Sequence, residues 1–298
     1  MRPLVPILAV LVVANSQAAR PQAPFQPAPR SLPEAPTCPA LFADGRAPVP
    51  TNPKLADRTV PLCFEAFAVL HSAVSRTPLY AAERLTRRSV SAARRVERAD
   101  AFHDEDRLPE DDRASLADYV HSGYDRGHLA PAGDMPSAAA QAESFSLANI
   151  VPQNRAVNRG LWAAIEESVR RLATERGEIF VVTGPLFEGR SVGAIKGRVL
   201  VPTQLFKALY DPRTGEAGAY LVANATGAEW RAVSLATLRD RAGLDVFPAL
   251  PETVKARAMS LPKPYEFSRG GDSFAGFLKQ LAHDVLRRLW RELMRAIF

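Results

Sequence analysis

Tyr124-Asp125-Arg126-Gly127-His128-Leu129-Ala130-Pro131 is the stretch on which the fold turns. Asn149-Ile150-Val151-Pro152-Gln153-Asn154 follows it, and Asn158, Trp162 and Glu166 follow that. These side chains suit work on a phosphodiester. Such an ester is anionic and resists water. Its hydrolysis needs a base, a cation opposite the charge on phosphorus, and an acid for the leaving oxygen. His128 suits the base, because an imidazole titrates near neutrality. Arg126 suits a non-bridging phosphate oxygen, because its planar fork matches that anion. Asn158 offers a carbonyl oxygen, a hard ligand of the kind Mg²⁺ takes while keeping several waters. One such water can protonate the departing 3′ oxygen. Gly127 is expected to let the backbone turn between Arg126 and His128.

Asn158, Trp162 and Glu166 step by four residues, so they are expected on neighbouring turns of one helix, drifting by about 40° per step. Glu166 then reaches a metal-bound water. Apolar residues at helical spacing (Leu161, Trp162, Ile165, Val169 and Leu172) support that helix, and Gly177 stops it. Taken singly, each residue has a blander reading. A histidine after Arg-Gly is more often structural, and an asparagine at a helix start is usually a cap.

Outward from this centre the pattern is strands, a helix, then strands. Phe64 to Leu70, Leu79 to Leu85, Ile179 to Thr183, Val199 to Tyr210 and Ala219 to Ala223 read as strands. Asp211-Pro212-Arg213-Thr214-Gly215 reads as a turn between the last two. That order predicts an α+β fold rather than repeating βαβ units. Residues 86–113 are basic and then acidic, and read as a solvated surface segment.

The chain starts Met1-Arg2, runs apolar from Leu4 to Ala14 and reaches Ser16-Gln17-Ala18. This predicts a signal peptide over 1–19 and a secreted or periplasmic protein. Residues 20–61 are dense in proline and read as an extended linker containing Cys38. In an oxidising compartment the two cysteines, Cys38 and Cys63, form one disulfide. A domain over 62–268 follows, and residues 269–298 read as a basic amphipathic helix. Its stretch 273–298 could pack on the domain, join a homodimer or lie on an anionic membrane surface. Lys plus Arg exceed Asp plus Glu by 38 to 32, a formal charge of +6, which favours anionic partners such as nucleic acid.

The ensemble resembles the DNA/RNA non-specific endonuclease family, which includes mitochondrial endonuclease G and secreted bacterial nucleases. The Asp-Arg-Gly-His signature stands at Asp125 to His128. The Asn-x-x-Pro-Gln element stands at Asn149, Pro152 and Gln153, and a Thr-Gly-Pro strand end at Thr183 to Pro185. The likeness covers roughly residues 63 to 250. It implies the ββα-metal nuclease fold, a central antiparallel sheet flanked by helices, with His128 near a strand end facing the metal helix. It implies a sugar-non-specific endonuclease acting on DNA and RNA with Mg²⁺, Mn²⁺ substituting. His128 is then the general base, Asn158 the direct ligand and Glu166 a ligand through water, with Arg126 and Asn149 supporting. The family's upstream phosphate-binding arginine is matched best by Arg98, with Arg94 and Arg95 as alternatives. The family contains dimers, so a homodimer is compatible.

Two rivals stand beside this reading. Gly189-Arg190-Ser191-Val192-Gly193 fits the elbow of a serine hydrolase, but that elbow must join a strand to a helix. The next residues here, Ile195 to Val201, read as turn and strand. A non-catalytic nucleic-acid binder would use the basic surface without His128.

Overall fold

The structure, a computed structural model, describes residues 38–264. The expected signal peptide, the expected linker up to residue 37 and the expected amphipathic helix of 269–298 lie outside the described residues.

The centre is a seven-stranded sheet, antiparallel at every pairing. Its order is Trp230–Val233, Glu216–Ala223, Gln204–Asp211, Glu178–Leu186, Thr77–Thr86, Phe67–Ser72 and Thr59–Cys63. Two meanders make it, residues 59–86 and 178–233, and they join where Thr77–Thr86 pairs with Glu178–Leu186. The chain between them, residues 87–177, leaves the sheet and carries the candidate site. The mixture of helices around an antiparallel sheet is the expected α+β class.

The inner strands are apolar towards both faces, so they read as runs rather than as alternation. Ala81, Leu85, Val181, Leu205 and Leu209 face one layer, where Ile165, Val169 and Leu172 of the helix Ala163–Arg176 cover them. Ala82, Val182, Phe206 and Ala208 face the other, under Leu235 and Leu238 of the helix Leu235–Ala242. The turn at Asp211 forms because its carboxylate accepts from the amides of Arg213 and Thr214, at 2.9 and 3.3 Å, and Gly215 takes φ of 70°. Gly177 ends the long helix at φ 94°, a conformation most side chains avoid.

Several expectations shift. Residues 38–61 are not an extended linker. They form short 3₁₀ turns at Pro39–Leu41 and Ala43–Gly45, a strand Val49–Pro50 paired with Leu244–Asp245, a turn of helix at Pro53–Ala56, and part of the edge strand Thr59–Cys63. The prolines mislead because they sit where a missing N–H is tolerated. Pro39 and Pro53 lie in first helical turns and Pro61 lies in an edge strand. The Cys38–Cys63 disulfide closes this segment onto the sheet. The strand read from Val199 to Tyr210 is two strands, Val199–Leu200 and Gln204–Asp211, with Pro202 in the gap. The strand read at Phe64 begins at Phe67, and Phe64 instead stacks on the Phe67 ring at 4.3 Å. The charged segment is not wholly solvated. Arg87–Ala93 is a helix capped by Thr86, and Glu105 is buried, held by Arg107 and by the Ser146 hydroxyl.

Candidate active site

Two strands and a helix build the site. Asp125–His128 pairs antiparallel with Ile150–Gln153, with His128 opposite Ile150 at the strand end. Gly127 lies inside this hairpin rather than at a turn. A Cβ there would stand 2.1 Å from Oε1 of Gln153, so close packing by a buried side chain, not backbone bending, requires the glycine.

The helix begins at Asn154, whose side chain accepts from the amides of Ala156 and Val157. Capping is therefore done by Asn154, and Asn158 is spared that role. Asn158–Trp162 is a π turn, and Ala163–Arg176 continues as α-helix. A π turn takes up an extra residue, so two revolutions span about eight residues here instead of about seven. Asn158 and Glu166, eight apart, thus come to the same cleft. Trp162 does not share that face, because it is buried in the core against the sheet.

Arg98, Arg126, His128, Asn158 and Glu166 all line one cleft of about 540 Å³. Five of the six expected site residues therefore meet. Asn149 does not line it. It is fully buried, donating to the carbonyls of Ala130 and Ser144 and accepting from the Ala130 amide. Its place is behind His128, where it holds the backbone that leaves the catalytic strand. Of the three upstream arginines, Arg98 reaches the cleft, whereas Arg94 pairs with Glu167 at 3.6 Å. Arg95 donates to Ser91.

His128 packs edge-on against Phe145, ring centroids 5.0 Å apart, and against Phe102 at 5.3 Å. Its Nε2 is enclosed and has no hydrogen-bond partner among the described residues. Burial pulls its pKa down to about 3, with Arg98 and Arg126 adding to the fall and Asp100 opposing it. The ring is therefore neutral at physiological pH, and its burial resists protonation while no anion is near. Burial pushes Glu166 the other way, up to about 7. Asp134 adds to the rise, while Lys207, Arg170 and Arg98 restrain it. Two titratable groups in one cleft, driven apart by their surroundings, mark a place for proton chemistry.

Asp125 organises the ligand side. It accepts from the Asn158 amide at 3.1 Å and from Arg159 at 2.7 and 3.1 Å, with Arg155 at 3.3 Å. Burial opposes its ionisation, but these donors outweigh it and hold the carboxyl below its usual range. With the amide nitrogen occupied, the carbonyl oxygen of Asn158 is the atom that could hold a cation. Glu166 carries no ion pair among the described residues. One amide oxygen and one nearby carboxylate suit a hydrated divalent ion of the Mg²⁺ type. No group of three or more His, Cys, Asp or Glu that could cage a metal occurs among the described residues. The guanidinium of Arg126 lies 4.2 Å above the Phe102 ring, which holds it at the cleft without using its hydrogen-bond donors.

Sequence reasoning passed over Asp125, Phe102, Asp100, Arg159 and the buried pair Arg170–Asp134, at 2.8 Å. Asp125 lies in the quoted motif, and Arg170 lies four residues after Glu166 on one helix, so both had a local signal. Ser191 lies exposed in the loop after Glu178–Leu186, followed by the two-residue strand Ala194–Ile195. No helix follows it, so the serine-elbow geometry is missing. Outside the cleft, His71 is buried on the Asp112 carbonyl and His103 bonds the Ala101 carbonyl.

A family model described as DNA/RNA non-specific endonuclease matches residues 49–253. The chain is 37% identical over 155 residues to Nuclease 1, mitochondrial, of Schizosaccharomyces pombe, covering 48% of this chain and 48% of that protein. It is 37% identical over 197 residues to Nuclease EXOG, mitochondrial, of Danio rerio, covering 59% of this chain and 57% of that one. With Nuclease C1 of Cunninghamella echinulata var. echinulata the identity is 33% over 168 residues, 52% and 67% of the two chains. The match spans about half the length of the first of these relatives. A crystal structure of an EndoG/EndoGI complex shares the fold, with TM-score 0.58 and 24% identity over 65% of this chain and 88% of that chain.

Proposed function

The chain belongs to the DNA/RNA non-specific endonuclease family, and from that premise we propose that it hydrolyses phosphodiester bonds of DNA and RNA as an Mg²⁺-dependent endonuclease. The observation that carries the reading is the meeting of His128, Asn158, Glu166, Arg98 and Arg126 in one cleft.

Arg98 and Arg126 bind the non-bridging oxygens of the scissile phosphate. They are also part of what keeps His128 neutral. An arriving phosphate reverses that local field, because a nearby anion favours the protonated ring. His128 thus becomes more basic when substrate is present. It takes a proton from water, the water oxygen bonds to phosphorus, and the bond to the 3′ oxygen breaks with its electron pair leaving on that oxygen. Asn158 would hold the divalent ion directly and Glu166 through water. Bound there, the ion supplies positive charge against the phosphate. Asp125 keeps the Asn158 carbonyl oriented, and Asn149 keeps the strand end of His128 in place. Contacts through phosphate read neither the base nor the 2′-hydroxyl, which fits a sugar-non-specific activity. The Cys38–Cys63 disulfide supports a site of action in an oxidising compartment, secreted or periplasmic.

The test is digestion of plasmid and of RNA by the mature protein, with Mg²⁺ and with excess chelator, beside His128→Ala. Cleavage of both substrates requires the ion, and His128→Ala lowers the rate by about 10²–10⁴-fold while binding persists. A variant that cuts at the parental rate removes His128 from the mechanism. Binding without cleavage by the parent favours the non-catalytic alternative.

A further inference from the structure

Beneath the site, inside the protein, stands a charged group that the cleavage chemistry does not use. Lys207 lies on the inner strand Gln204–Asp211, between Leu205 and Leu209, and is 1% exposed. Its ammonium donates to the Thr183 hydroxyl at 2.6 Å and to the carbonyl of Leu129 at 3.4 Å. It also lies 5.6 Å from the centre of the Trp162 ring. Leu129 directly follows His128, and Trp162 closes the π turn that Asn158 opens. One buried cation therefore touches both halves of the site from below. Thr183 holds it in turn, from the adjacent strand of the sheet.

Stability does not account for a lysine here. Taking an ammonium out of water costs several kcal/mol, and a methionine would fill the same space between two leucines. Among the described residues no carboxylate forms an ion pair with it, although Glu83, fully enclosed on the same face of the sheet, and Glu166 in the cleft are both near enough to feel its charge. Besides its bond to Thr183 and the charge felt by Glu83 and Glu166, the ammonium has what an apolar chain lacks, a directed bond to the Leu129 carbonyl.

Resting on the nuclease reading, we propose that Lys207 is a positioning residue, a buried strut from the central sheet that sets the strand end of His128 against the helix turn of Asn158. Thr183 orients the strut. Lys207 reaches neither substrate nor ion.

The experiment is Lys207→Met in the full chain, with steady-state cleavage, thermal unfolding and NMR of the Leu129 carbonyl and the His128 ring. The expected result is a fall in kcat of about tenfold or more, as a misplacement of about 1 Å can cause. KM should stay within about twofold, because the phosphate-binding arginines are untouched. The melting temperature should change little, because relief from burying the ammonium offsets the lost bonds to Thr183 and Leu129. The Leu129 carbonyl and His128 ring resonances should shift. Parental kcat, or unchanged resonances, overturns the proposal, as does a lowered melting temperature with kcat retained, the mark of a merely structural lysine. If Lys207→Met does not fold, Thr183→Val takes its place. It removes the strut's anchor and should lower kcat in the same direction by less, and a parental kcat there also overturns the proposal. The resonances decide the matter even if the parent cuts no nucleic acid, so a failed nuclease reading and a failed strut remain distinguishable.

Discussion

Two clefts of similar size lie against opposite layers of the same sheet, and they differ in how their charges are spent. The larger, about 590 Å³, is floored by Leu79, Leu186 and Phe206 and rimmed by Arg239 and Arg241. Each of those arginines is already engaged. Arg239 grips Glu252 at 2.9 and 3.0 Å, and Arg241 grips Glu188 at 2.9 and 2.6 Å. The smaller cleft, about 540 Å³, holds Arg126 and Glu166 with no ion pair among the described residues, and an imidazole with an enclosed, unpartnered nitrogen. Volume therefore does not distinguish a site from a crevice. Charged and polar side chains that face the cleft without a partner set the smaller one apart, because burying such groups costs free energy unless a ligand or a reaction uses them.

Glycines test this contrast most sharply, since each cleft depends on one. Gly127→Ala drives a methyl group into Gln153 behind the site hairpin. The hairpin must shift, so cleavage falls by about 10²-fold and stability by about 1–3 kcal/mol. Plasmid digestion and urea unfolding read the two effects. Parental cleavage would mean that the hairpin tolerates displacement and that catalysis does not depend on the exact placement of His128.

A smaller effect should appear in the pH dependence of stability. Burial raises Glu166 in the folded state to about 7 from its ordinary 4.5. The folded protein therefore binds this proton more tightly than the unfolded chain does. The contribution is fully present below pH 4.5 and is lost as pH rises through 7. In chelator, Glu166→Gln removes that loss. The difference between urea midpoints at about pH 5 and about pH 8 should move towards greater relative stability at the higher pH than in the parent. An unchanged difference would show that the Glu166 carboxylate is well solvated in the folded protein.

The smallest functional effect belongs on the other layer. Gly243 lines the larger cleft at φ 63°, with a Cβ position 2.8 Å from Asn52. Gly243→Ala should cost about 1–2 kcal/mol of stability, yet leave cleavage per folded molecule within about twofold. A selective loss of kcat in that variant would break the division between the layers.

Legibility followed the same division. His128, Asn158 and Glu166 could be named because they lie in the short motifs that carry the family resemblance, although the π turn at Asn158–Trp162 is what brings the last two to one cleft. Arg98 could be named but not separated from Arg94 and Arg95, since the choice depends on how one short helix packs. Lys207 had a faint signal, a lone lysine within Gln204-Leu205-Phe206-Lys207-Ala208-Leu209-Tyr210. Nothing local says which layer it enters. The prolines of 38–61 misled for the opposite reason, as their tolerance depends on edge and first-turn positions that only pairing assigns.

By itself the chain of letters determined the chemical inventory: a histidine, an asparagine, a glutamate and arginines in a stated order, and one pair of cysteines with a single way to join. Tertiary structure alone decided which of these meet and what lies beneath them. The bond from Lys207 to Leu129 spans 78 positions of sequence. A hydrogen bond acts only across a few ångströms, whereas a sequence pattern reports only neighbours along the chain. Contacts between distant segments exist only once the sheet has brought them together.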